Sequence, residues 1–148
     1  MITKRALSLC ALMLVSTTFT AHAENIDNKQ LVLDFTHLAF EKKHLREAFD
    51  RYIAPDYIQH NPQAPDGAEA ALQFLEGFQR QFPQASYDIQ RIASDGNLVF
   101  LHVHARTTPD DRGMAVVDIF RLDNGRIVEH WDVIQPVPEQ SVSKHPMF

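Results

Sequence analysis

Residues 117–132 read Val117-Asp118-Ile119-Phe120-Arg121-Leu122-Asp123-Asn124-Gly125-Arg126-Ile127-Val128-Glu129-His130-Trp131-Asp132. Two runs rich in β-branched and aromatic residues flank Asp123-Asn124-Gly125, a pattern that predicts an antiparallel hairpin. The turn admits two geometries. A three-residue loop with Gly125 as a left-handed bulge sets Leu122 opposite Arg126, Asp118 opposite His130 and Val116 opposite Asp132. Asp118, His130 and Asp132 then share one face with Phe120 and Ile134. A two-residue Asn-Gly turn instead sets Asp118 opposite Trp131 and sends Asp132 to the other side.

Upstream of the hairpin, two further β-type runs cover 86–93 and 97–107, and the hairpin arms themselves extend over 114–122 and 126–135. Asp95-Gly96 and the stretch from Pro109 to Gly113 separate them. Connections of this length imply antiparallel neighbours. Before residue 86 the periodicity is helical. Asp27 followed by Gln30 reads as a capping box, and Leu31, Phe35 and Leu38 recur at helical spacing over about 28–41. Leu45 and Phe49 predict a short helix over 44–51 that Pro55 ends. Ala71, Phe74, Leu75, Phe78 and Phe82 trace an apolar stripe over 67–82, stopped by Pro83. Three helices followed by about four strands define an α+β class rather than a parallel doubly wound sheet. The tail after Pro136, with Pro138 and Pro146, is expected to run extended along the surface.

The 148 residues suit a single domain, and a chain of this size can bury a sufficient core unaided. Lys4 and Arg5, the apolar stretch Ala6 to Thr20 and the small-x-small motif Ala21-His22-Ala23 form a signal peptide, with cleavage expected after Ala23. The stretch falls short of the roughly 20 residues a membrane span needs. The domain is then 24–148, and its expected location is periplasmic or secreted. Cys10 is the only cysteine and goes with the leader, so neither a disulfide framework nor a thiol nucleophile is available. Of 14 basic residues, losing Lys4 and Arg5 leaves 12 against 19 acidic ones, a balance that disfavours nucleic acid and anionic membranes as partners. No Gly-rich phosphate loop and no Gly-x-Ser-x-Gly elbow is present.

The strands carry ionisable groups inside apolar runs: His102 and His104 in Leu-His-Val-His, Asp118 in Val-Val-Asp-Ile-Phe, and His130 and Asp132 around Trp131. Such groups require water or partners. Either a solvated outer face or an enclosed polar pocket satisfies that need. His102 and His104 share a face by strand alternation, and the sequence leaves open whether it is the face of Asp118. Tyr57-Ile58-Gln59-His60-Asn61-Pro62 adds another imidazole and two amides before the third helix, where loop side chains often bond only to backbone.

This last segment, the run from Val117 to Asp132 and the order of elements resemble the SnoaL-like polyketide cyclase family of the nuclear-transport-factor-2-like superfamily. The likeness extends over about 27–136. It implies a curved sheet closing on the helices as a cone, a ligand pocket inside, and a homodimer across the outer face. It also implies a carboxylate base on the last strand, here Asp132, acting without metal or cofactor. The family's polar pocket positions on the preceding strand match Val116 and Asp118, and Val116 departs from the pattern, being apolar where an amide is expected.

The resulting expectation is proton abstraction α to a carbonyl, in an isomerase, cyclase or aldol-type reaction on a small, largely apolar molecule. Asp132, Asp118, His60, His102 and His130 are the candidate catalytic residues. Tyr57, Asn61, His104, Val116, Phe120 and Trp131 are the candidates for substrate contact. A non-catalytic binder of a small hydrophobic ligand would use the same pocket. A third reading takes His102-x-His104 with nearby carboxylates as a metal site, although the Glu that usually follows such a pair is replaced by Arg106 to Thr108.

Overall fold

The computed structural model describes residues 27–148, and the expected signal peptide, with its cleavage point after Ala23, lies outside them. Asp27 caps the first helix by accepting from the backbone N–H of Lys29 and Gln30. The reciprocal half of the capping box does not form, because the Gln30 amide donates to Asp34 instead. Helix α1 covers Asn28–Thr36 and gives way to a single π-helical turn, His37–Glu41, within the span expected to be one helix. Helix α2 follows at Leu45–Tyr52 and α3 at Ala68–Gln81. Among the described residues no helix is long and apolar enough to cross a membrane.

Among the described residues five strands make one sheet: β1 Ile53–Gln59, β2 Ser86–Asp95, β3 Leu98–Arg106, β4 Met114–Asp123 and β5 Arg126–Pro136. Their spatial order is β1-β5-β4-β3-β2, with β1 parallel to β5 and all other pairs antiparallel. The architecture is the expected α+β cone with one strand more than the four read from sequence. That extra strand, β1, contains Pro55. A residue without an N–H is tolerated there because β1 is the edge of the sheet.

The 123–126 turn takes the two-residue form, with Asn124 and Gly125 both at positive φ and Asp123 paired with Arg126. Taken alone, this would have turned Asp132 outward. Val128 prevents it by standing as an extra residue: Leu122 pairs with Ile127, then Arg121 with Glu129. The bulge shifts the register by one and returns His130 and Asp132 to the inward face with Phe120 and Asp118. Asp118 therefore lies opposite Asp132, and Phe120 opposite His130, a pairing that neither turn alone produces.

The inward face and the helices share the core. Val99, Leu101 and Val103 from β3 and Ile127 from β5 are fully buried with Val32 of α1 and Leu72 of α3. Leu101 pairs with Asp118 and Val103 with Val116, so odd-numbered β3 residues point inward. The same alternation sends His102 and His104 outward, beside Val117 and Ala115.

Candidate functional site

A cavity of about 320 Å³ opens between the sheet and α3. Its walls are apolar: Phe35, Phe49, Leu75 and Phe120 contribute, and Phe74 and Phe78 of α3 remain partly exposed at its edge. Asp118, His130 and Asp132 line it together with Tyr57, Asn61 and Val116. A mostly apolar hollow with a few convergent polar groups is the usual form of a small-molecule site.

The polar groups form one connected network. Asp118, 6% exposed, accepts from the Tyr87 hydroxyl at 2.6 Å through Oδ2 and lies 3.0 Å from His130 Nε2 through Oδ1. On the other side of the ring, His130 Nδ1 lies 2.9 Å from Gln59 Oε1. The Gln59 Nε2 donates to the Tyr57 hydroxyl at 3.0 Å. Asp132 Oδ2 accepts from Asn61 Nδ2 at 2.5 Å, while its Oδ1 takes no hydrogen bond from any described residue. The Tyr57 hydroxyl accepts from Gln59 but has no described acceptor for its own proton.

Burial pushes the Tyr57 phenol well above its ordinary range, and the nearby charges of Asp118, Asp132 and Asp66 add to the effect. The Tyr87 phenol is raised in the same direction, first by burial and then by the charge of Asp118 and the hydrogen bond to it. Both phenols thus stay protonated as hydrogen-bond donors. One donor atom from each of Asp118, His130 and Asp132 lies within 4.8 Å of the others, so among the described residues this trio has the atom types a divalent ion would need.

Four of the sequence-derived candidates lie elsewhere. His102 and His104 face out of the sheet. His102 Nδ1 meets Arg91, His104 Nε2 meets the Arg112 carbonyl oxygen, and both rings stack on Phe148 of the tail. The His-x-His pair therefore does not join the carboxylates as a metal site. Trp131 also faces outward, stacked at 4.7 Å on the His60 ring. His60 Nε2 bonds Glu129, and that hydrogen bond is the largest cause holding the Glu129 carboxyl below its usual range. The reason is strand alternation: Glu129 and Trp131 bracket the inward His130, so whatever touches them is on the outer side.

Gln59 and Tyr87 are the network members the sequence pattern did not single out. Gln59 pairs with His130 across the β1–β5 seam and Tyr87 enters from β2, both far from the hairpin in sequence. The only local signal was a Tyr with its polar tip and an amide at strand ends.

Residues 32–130 match the model of the SnoaL-like domain. A candidate polyketide cyclase of Acidithiobacillus ferrooxidans is 22% identical over 72% of this chain and 87% of its own, with a TM-score of 0.61. IdmH of Streptomyces antibioticus, a candidate polyketide cyclase, is 25% identical over 73% of this chain and 91% of its own, with a TM-score of 0.59. A nuclear-transport-factor-2-like protein of Cytophaga hutchinsonii, 20% identical, covers 77% of this chain and 95% of its own with a TM-score of 0.63. No curated protein matches the chain.

Proposed function

Since the chain belongs to the SnoaL-like domain family, we propose that it removes a proton α to a carbonyl in a small, largely apolar molecule, without a cofactor. The observation that carries this reading is the unspent pair on the cavity wall: Asp132 Oδ1, free to accept a proton, and the Tyr57 O–H, free to donate a hydrogen bond. Asp132 takes the proton from carbon, and the electron pair moves onto the carbonyl oxygen. The Tyr57 O–H then stabilises that oxygen as charge develops on it. Return of the proton to a different carbon completes an isomerisation. Attack of the enolate on a second carbonyl, whose oxygen then takes a proton, completes a cyclase or aldol-type reaction.

The apolar walls support a substrate with little charge, because an anion brought beside Asp118 and Asp132 would be repelled. Non-catalytic binding of a small hydrophobic ligand is the second reading, favoured by the way Asp118 and His130 already satisfy each other. Mass spectrometry of material co-purified from the native cell, followed by incubation with protein, separates the two. Conversion of that compound by wild type and a loss of about 10²- to 10⁴-fold in Asp132→Asn is the expected result. Activity surviving in Asp132→Asn moves the base elsewhere, and recovery of the compound unchanged leaves the binder.

The setting we propose is extracytoplasmic, after cleavage following Ala23, with two copies paired through the outer sheet face. Val133, 65% exposed, and Val117 support pairing through that face, since both would be better covered.

A further inference from the structure

His130 presents a nitrogen to an acceptor on each side, and its proton inventory is set from outside the ring. Gln59 Oε1 accepts from the backbone N–H of Asn61 at 2.9 Å. A backbone N–H can only donate, so the atom it meets is the amide oxygen, and the Gln59 NH2 is turned toward Tyr57. The side chain springs from a fixed point. Its backbone N–H donates to Asp66 Oδ1 at 2.9 Å, and the next residue, His60, donates its N–H to the His130 carbonyl at 3.0 Å.

We propose that Gln59 is the positioning residue that fixes the tautomer of His130 and so makes the Asp118–His130 pair a proton donor. Its mechanistic meaning rests on the acid–base reading above, but the arrangement itself does not. His130 Nδ1, 2.9 Å from the same oriented oxygen, carries a proton, because two lone pairs at that distance repel. Nε2, 3.0 Å from Asp118 Oδ1, then has no proton of its own in a neutral ring, and the same repulsion applies unless a second proton is taken up between them. Asp118 Oδ2 is already occupied by the Tyr87 O–H. Ring and carboxyl group together therefore hold two protons, one locked on Nδ1 and one shared across the 3.0 Å contact.

Without the Gln59 oxygen, a neutral ring would place its single proton on Nε2, toward the carboxylate, and the pair would hold no proton in excess. With it, the site has one acceptor, Asp132 Oδ1, and one loaded donor. In the aldol-type course the proton that reaches the new hydroxyl oxygen comes from the Asp118–His130 side. The proton that Asp132 took from carbon passes through water back to the pair, so the site ends the turnover as it began.

Nitrogen-15 NMR of the histidine rings tests this on the protein alone, with no substrate. The expected wild-type result is a one-bond N–H coupling at His130 Nδ1 at neutral pH. Gln59→Leu is expected to lose that coupling and gain it at Nε2, and Gln59→Glu, which still offers an acceptor oxygen, is expected to restore it at Nδ1. A wild-type Nδ1 without a bonded proton overturns the assignment, whether or not the variants fold. Retention of the Nδ1 proton in a folded Gln59→Leu overturns it as well. Failure of the acid–base reading would appear in turnover assays and would leave these ring signals unchanged.

Discussion

Asp118 and Asp132 stand directly opposite each other on β4 and β5 and both line the cavity. Like charges at opposed positions of a strand pair repel. The structure offsets this by giving each carboxylate its own donors: Tyr87 and His130 for Asp118, Asn61 for Asp132.

Removing His130 should therefore cost more than its contacts alone. His130→Ala leaves Asp118 buried beside a second carboxylate with only the Tyr87 hydroxyl, and the loss of one member of a buried pair costs about 3 kcal/mol or more. Urea denaturation should show that loss, and Asp118→Asn added to His130→Ala should recover part of it. Equal stability of His130→Ala and wild type would mean that the pair is solvated.

Alkaline titration reads the two buried phenols. Their pKa values are raised in the folded protein, so the unfolded chain loses these protons first as pH climbs. The stabilisation is complete below about pH 10 and is lost as pH rises toward the folded values. Absorbance at 295 nm should show two tyrosines ionising only as the fold opens. Tyr57→Phe and Tyr87→Phe should each remove one delayed increment.

Gly113 precedes β4 at φ +77°, and a Cβ there would lie 2.2 Å from the Ala105 carbonyl oxygen. That atom belongs to a paired strand and cannot step aside. Gly113→Ala should destabilise by about 2 kcal/mol or more, visible as a lowered Tm. A neutral substitution would show that the 107–113 connection can be rebuilt.

Pairing through the outer face predicts a mass effect. Wild type should scatter light as two chains, and Val133→Glu, which places a charge on the most exposed strand valine, should scatter as one. A single-chain mass for wild type would remove the dimer.

Helices, four strands and the turn between β4 and β5 were legible because each is a local pattern of apolar spacing and turn residues. Strand β1 was not, since Pro55 looks like a breaker and the strand's partner, β5, lies more than sixty residues further on. Asp118, His130 and Asp132 were correctly grouped on one face, although by a different route: the two-residue turn and the Val128 bulge together have the same parity as a three-residue loop. The outward placement of His102 and His104 depends on Ala105 pairing with Met114 across a connection whose length alone leaves both faces open. His60 was misassigned for a related reason. Gln59 and Asn61 turn inward to His130 and Asp132, and the residue between them turns out to Glu129.

The Val128 bulge gives the hairpin a spare link. Excising Val128 would join Ile127 to Glu129 and leave every remaining cross-strand partner as it is, from Arg121 with Glu129 to Asp118 with Asp132. Excising Glu129 in its place would absorb the bulge in the same way but put Val128 where the salt-bridged carboxylate stands. Beyond His130 no such slack exists: losing one residue there would swing the downstream half of the arm through half a turn and carry its valine into the hollow. Tolerance to single-residue deletion should therefore end abruptly at His130.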